Sequence, residues 1–266
     1  MRKIFCLLVL VGVMSSCGEY NKILKSTDTE QKYEYAKAAF EKKKYTQAYT
    51  ILEDLVAIFK GTPRAEESLY LLARSHYLNK DYLTSGEYFQ AYYRNFPKGK
   101  YTELARFYAG YGYYLDSPEA KLDQSGTYKA IDEMQRFLDY YPNSDKAQQA
   151  QDVIFELQDK LVYKELLNAQ LYYNMGNYMG NNYRSAIIVA ENALKDYPYT
   201  RYKEALEMLI LKSKYQEASQ SIAERRGERF RDVLDEYYSF INDFPDSQYK
   251  KEANNIYKVA SKYVKD

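Results

Sequence analysis

From residue 28 onward, apolar side chains recur at three- and four-residue steps. In 51–59 the stripe is Ile51, Leu52, Leu55, Ile58 and Phe59, the spacing of one buried helix face. The run Asp145–Met175 contains neither proline nor glycine and predicts the longest helix. Gly176-Asn177 and Gly180-Asn181-Asn182 then mark a turn. A helix carrying Ala186, Ala190 and Ala193 follows and stops at Pro198. A further pair is expected over Arg201–Gln220 and Glu228–Asp243, with a last helix over Ser247–Val264.

The pattern repeats. Shifted by 37 residues, Tyr33, Tyr70 and Phe107 align, as do Ala36, Ala73 and Gly110, and Phe40, Tyr77 and Tyr114. Lys37 and Arg74 align, with Tyr111 breaking the basic series. Pro97, Pro142, Pro198 and Pro245 each follow an aromatic residue and stand twelve residues after Ser85, Ala130, Ala186 and Val233. Small residues let two helices approach, and a proline ends the second of them. In the first copy Lys60 occupies the proline position and Pro63 arrives three residues late. This resembles the tetratricopeptide repeat. It implies an all-α chain, an α-solenoid of about five helix pairs closed by a C-terminal capping helix. The third pair carries an insertion over 115–127, which is either a partner-docking loop or a tolerated lengthening.

The N-terminus reads as an export signal. Arg2 and Lys3 precede an eleven-residue apolar stretch, Ile4 to Met14, too short for the roughly 20 residues that span a bilayer. Ser15-Ser16-Cys17 resembles the lipobox of bacterial lipoproteins, which implies cleavage before Cys17 and acylation of its thiol. The alternative is an ordinary signal peptide with an incidental cysteine. Cleavage would remove Cys6 and leave no disulfide possible. The organisation expected is a signal over 1–16, a lipidated Cys17 with tether over 17–27, N-terminal repeats over 28–142, and C-terminal repeats with the cap over 143–266.

Composition narrows the chemistry. The formal charge is +1, with 38 basic and 37 acidic residues; without Arg2 and Lys3 it becomes about −1. Neither balance suits nucleic acid. The single histidine, His76, cannot build a zinc site. No phosphate-binding loop or nucleophile elbow is present, and Glu66-Glu67 reads as a solvated face. We therefore expect no catalytic residue, no metal and no cofactor. The 33 tyrosines with no tryptophan suit half-buried packing and wet binding faces alike.

In tetratricopeptide folds the first helices of the pairs line the concave side. That would array Tyr33, Tyr70 and Phe107, then Phe40, Tyr77 and Tyr114, as two aromatic ladders with Lys37, Arg74 and Tyr111 between them. Such a face could hold an extended peptide with aromatic side chains, the cations meeting a carboxylate. Equally, one ladder could be packing between neighbouring helices.

A lipobox followed by five such repeats resembles the BamD (ComL-like) family. Phe96-Pro97-Lys98-Gly99, Tyr141-Pro142-Asn143-Ser144 and Phe244-Pro245-Asp246-Ser247 look like its helix ends. Ser117-Pro118, Asp123-Gln124 and Thr127 ahead of Ala130 resemble its third-repeat insertion. Leu171-Tyr172-Tyr173 through Tyr183, Ala186 and Tyr197-Pro198 look like its fourth repeat. The resemblance implies a non-enzymatic scaffold of the outer-membrane β-barrel assembly machine, lipid-anchored at the periplasmic face of the outer membrane. Its partners would be a BamA-like insertase, other assembly-machine lipoproteins and unfolded barrel proteins. The N-terminal repeats would receive their aromatic-ended C-terminal signal and the C-terminal repeats would dock on the insertase. Two rivals are a repeat lipoprotein coordinating cell-wall and envelope processes, and a surface lipoprotein capturing glycan nutrients.

Overall fold

The computed structural model describes residues 18–264, so the export signal and Cys17 lie outside the described residues. Among the described residues there are twelve helices and no strand. The first, α1, covers 18–24. Five pairs follow: α2 (Thr29–Glu41) with α3 (Tyr45–Ile58), α4 (Ala65–Leu78) with α5 (Tyr82–Asn95), α6 (Thr102–Asp116) with α7 (Ser125–Tyr140), α8 (Ala147–Met175) with α9 (Asn182–Asp196), and α10 (Lys203–Ser219) with α11 (Ala223–Asp243). α12 (Lys250–Ala260) packs on α10 and α11 as the expected cap. Sequential packing of helix pairs is the tetratricopeptide-like arrangement read from the repeat.

The elements end where local chemistry dictates. α5, α7, α9 and α11 each stop two residues before Pro97, Pro142, Pro198 and Pro245, because a proline ring clashes with the preceding turn and lacks an N–H. Asp28 and Asp81 cap α2 and α5 by accepting from the backbone N–H of Gln31 and Thr84. The two small-residue positions meet as expected: Ser85 Oγ donates to the Ala73 carbonyl at 3.0 Å. Gly86 is required by close approach, since a Cβ there would stand 2.6 Å from the Tyr113 ring.

Two compact units divide the chain. The first holds residues up to Pro118 together with Ser125–Ile154; the second holds Glu119–Gln124 and Phe155 onward. α8 contributes to both, so the division falls inside that helix, and residues 143–154 belong with the N-terminal repeats. In the first unit Tyr33, Leu52, Leu55, Phe89, Tyr92, Phe107 and Phe137 are closed from solvent. In the second, Val162, Ile187, Leu206 and Leu209 form one core cluster, and Leu211, Phe230, Val233 and Phe240 another. Burying each such side chain stabilises by roughly 1.5–3 kcal/mol.

Two expectations change. Residues 18–24, read as tether, are helical: Tyr20, Ile23 and Leu24 fall at three- and one-residue steps that put Ile23 into the α2–α3 core, with Tyr20 stacked on Tyr35. The 115–127 insertion is shorter than it read, because α6 runs to Asp116 and α7 begins at Ser125. Its middle, 119–124, is tied into the second unit, where Lys164 Nζ donates to the Leu122 carbonyl at 2.9 Å and Gln124 donates to the Glu119 carbonyl.

A polar device recurs between pairs. A carboxylate near the start or middle of one first helix holds the loop that leads into the next. Glu66 accepts from the Lys100 N–H and from Tyr92 Oη, both at 2.6 Å. Glu103 accepts from Ser144 Oγ at 2.6 Å. Asp159 accepts from Thr200 Oγ1 at 2.6 Å and from the Arg201 N–H at 3.2 Å. Glu66-Glu67 is therefore an interlocking pair rather than a solvated face.

Candidate functional site

The eight residues expected to bind peptide all lie in the first unit, on the first helices of its pairs. Tyr33, Lys37 and Phe40 share a face of α2, Tyr70, Arg74 and Tyr77 share one of α4, and Phe107, Tyr111 and Tyr114 share one of α6, at steps of three and four residues. Neighbouring first helices meet through these side chains. Arg64, just ahead of α4, sits 4.5 Å over the Tyr33 ring and pairs with Glu30 of α2. Tyr77 packs on Tyr108 at 5.0 Å, and Tyr70 stacks on Tyr101 at 4.1 Å.

Burial separates the eight into two groups. Tyr33 and Phe107 are 0% and 2% exposed, so they support the face from beneath. Tyr33 Oη donates to Glu67 at 2.6 Å. Burial, reinforced by the Glu67 charge, raises its pKa strongly, while that same hydrogen bond holds the Glu67 carboxyl below the ordinary range. Phe107 lies under Tyr111 at 5.3 Å and edge-on to Phe137. Tyr70, Tyr77, Tyr111 and Tyr114 are half-buried, presenting an edge of each ring to water. Burial pushes the Tyr70 and Tyr77 phenols up to about 12, further from ionisation than an ordinary phenol, which is itself a neutral hydrogen-bond donor at physiological pH.

The two cations differ. Lys37 Nζ is 3.4 Å from Glu67, so its charge is largely answered within the fold. The Arg74 guanidinium lies 4.5 Å from the Tyr108 ring and 5.7 Å from the Tyr77 ring. Among the described residues it has no ion pair. Rings on two sides hold the guanidinium in place, and the cation keeps its capacity to receive a carboxylate in a two-pronged fork.

Tyr108 and Tyr101 complete this surface and escaped the repeat comparison, since offset 37 puts Leu71 and Arg64 opposite them. The signal available was the spacing of Tyr101, Tyr108 and Tyr111, which step by seven and three along one helix face.

Elsewhere the chemistry is structural. His76 is 4% exposed, its Nδ1 2.9 Å from Asp81 and its Nε2 3.4 Å from Glu53, with Tyr49 stacked on the ring at 4.2 Å. Among the described residues no group of three or more histidine, cysteine or acidic side chains could hold a metal ion. In the second unit a cavity of about 450 Å³ is lined by Lys121, Asp159, Tyr163, Arg201 and Tyr202 among others. Its Asp159 is committed to Thr200 and Arg201. No described helix is long and apolar enough to cross a membrane.

A family model described as YfiO, an outer membrane lipoprotein, matches residues 25–225. No curated protein matches the chain.

Proposed function

The chain belongs to this YfiO family of outer membrane lipoproteins, the BamD family, and on that premise we propose that it is a scaffold of the outer-membrane β-barrel assembly machine. That family is one of non-catalytic scaffolds, and this chain likewise acts by holding partners. The anchor is an acylated Cys17, and the folded part stands on the periplasmic side of the outer membrane. The first unit receives the aromatic-ended C-terminal segment of unfolded barrel proteins. The C-terminal repeats dock on a BamA-like insertase, beside other lipoproteins of the machine.

One observation carries the substrate side of this reading. Arg74 is a cation fixed between Tyr77 and Tyr108 without an ion-pair partner among the described residues, on a face of half-buried tyrosines. A chain end that supplies one aromatic ring and one carboxylate matches it group for group: ring on ring, and carboxylate on guanidinium.

The test is purification of the membrane-anchored protein from its own cells after crosslinking in mild detergent, with mass spectrometry of what accompanies it. Recovery of an outer-membrane barrel bearing periplasmic repeat domains is the expected result. Recovery of cell-wall synthases or a nutrient transporter, without an insertase, would overturn the assembly role.

A further inference from the structure

The turn between α2 and α3 is Lys42-Lys43-Lys44, with all three lysines exposed. Its backbone is a helix-ending motif in which Lys43 takes the left-handed conformation (φ 59°) and the Lys44 N–H returns to the Ala39 carbonyl at 2.8 Å. The equivalent turn after α4 has the same geometry, with Lys80 at φ 65° and the Asp81 N–H on the His76 carbonyl at 3.0 Å, but reads Asn79-Lys80-Asp81. The fold therefore makes this turn without a run of lysines. The basic run is a feature of the first pair.

Its position gives the charge a purpose. The chain reverses between α1 and α2, with Ser26 hydrogen-bonded to Gln31 and Tyr20 stacked on Tyr35 at 6.3 Å. The N-terminal end of α1 thus lies toward the α2–α3 turn. At about 1.5 Å per residue, Lys42 lies roughly 10 Å beyond Tyr35 and Gly18 roughly 3 Å beyond Tyr20. Cys17 is the residue that precedes Gly18 in the sequence. Gly18 and the three lysines consequently stand toward the same end of α1 and α2. Lys22 is exposed on α1 as well; Glu19 and Glu41 are the exposed acids on these same two helices nearest the turn.

We propose that the Lys42–Lys44 turn rests on anionic phospholipid headgroups of the membrane that holds the acylated Cys17. The inference builds on the lipoprotein reading of Cys17. The turn acts as a second, electrostatic attachment that fixes how the first unit leaves the bilayer, where acyl chains alone would leave it free to swivel.

The test separates the two readings. The mature chain with Cys17→Ser, which carries no lipid, is sedimented with vesicles of phosphatidylcholine and with vesicles containing phosphatidylglycerol as well. Binding is expected only to the latter and is expected to fall as salt rises. Each lysine near an anionic surface changes partitioning roughly fivefold. The double variant K42Q/K43N should therefore lose on the order of 25-fold, asparagine being chosen because it tolerates the left-handed backbone. The triple K251Q/K258Q/K262Q, which neutralises exposed lysines of the capping region, should bind as the parent does. Equal loss in both variants would mean diffuse attraction and overturn the proposal, as would absence of any preference for the anionic vesicles. On the acylated protein in the same vesicles, amine acetylation should spare Lys42 and Lys43 relative to Lys258; equal labelling would also overturn it. Mass measurement of the N-terminal peptide reports acylation of Cys17 independently.

Discussion

Replacing Arg74 by alanine removes a cation that lies over the rings of Tyr77 and Tyr108 and has no ion pair among the described residues. If that guanidinium receives a peptide's terminal carboxylate, the lost charge-assisted pair is worth about 1.5–3 kcal/mol, or about 10- to 100-fold in affinity. The cost to the fold is smaller. Two half-exposed cation–π contacts contribute about 0.5–1 kcal/mol each, a fraction of the ~5–15 kcal/mol that holds a domain together. The variant should therefore fold and bind poorly. The assay is fluorescence anisotropy with a labelled peptide ending in phenylalanine, prepared with a free carboxylate and again with a C-terminal amide. Four affinities, parent and variant against acid and amide, close a cycle that isolates the pair. The parent should prefer the acid by the same factor that Arg74→Ala loses, and the variant should not distinguish the two peptides. Arg74→Lys should recover only part of the preference, since an ammonium offers no fork. Equal weakening of both peptides would show that Arg74 merely props up Tyr108 and would refute the carboxylate role.

Three further outcomes test the surrounding structure. Glu133 is 4% exposed and accepts from Tyr93 Oη at 2.9 Å and Gln90 Nε2 at 2.8 Å. Glu133→Ala strands a buried phenol and should cost about 2–4 kcal/mol, whereas Glu133→Gln should cost about 1 kcal/mol; hydrogen exchange in α5 and α7 reads both, and equal effects would count against the hydrogen bond as the cause. Gly86→Ala drives a Cβ to 2.6 Å from the Tyr113 ring and should destabilise the first unit by ~1–3 kcal/mol in urea titration, with the penalty shrinking in a Tyr113→Leu background. Burial opposes ionisation of Asp159, but hydrogen bonds from Thr200 and Arg201 outweigh it and hold its pKa below the ordinary value. A depressed carboxylate stabilises the fold above its unfolded pKa, near 4, and that contribution disappears as pH falls through the lower folded value. Acid titration of Asp159→Asn should accordingly show a shallower loss of second-unit stability below about pH 4 than the parent; an unchanged slope would remove Asp159 from the account.

Much of the architecture was legible along the chain because the physics behind it is local. A three- and four-residue apolar stripe, an aromatic-proline stop and a small residue at the helix crossing each act within a few residues of themselves. They placed the ends of α5, α7, α9 and α11 and the contact of Ser85 with Ala73. The length of α8 followed from the lack of any breaker between Asp145 and Met175. Even the face carrying Tyr70, Arg74 and Tyr77 could be drawn from the helical period, since those three positions share one side of α4 whatever surrounds them.

What lies on top of that face was decided by distant parts of the chain. Tyr33 and Tyr70 occupy the same place in the repeat. Tyr33 is sealed by Phe59, Arg64 and Glu67, while Tyr70 stacks on Tyr101 and keeps an edge in water. Glu66 and Glu67, side by side at a helix start, read as solvated until Tyr92 and Tyr33 arrive from 26 and 34 residues away to donate to them. The difference between Lys37 and Arg74 is of the same kind, one cation paired with Glu67 and the other set against the rings of Tyr77 and Tyr108. The sequence by itself determined which residues share a helix and a side, because backbone period and steric stops are properties of neighbours in the chain. Only the tertiary structure decided which of them are covered and which charges are cancelled, because exposure and ion pairing depend on whatever the next repeat lays within a few ångströms.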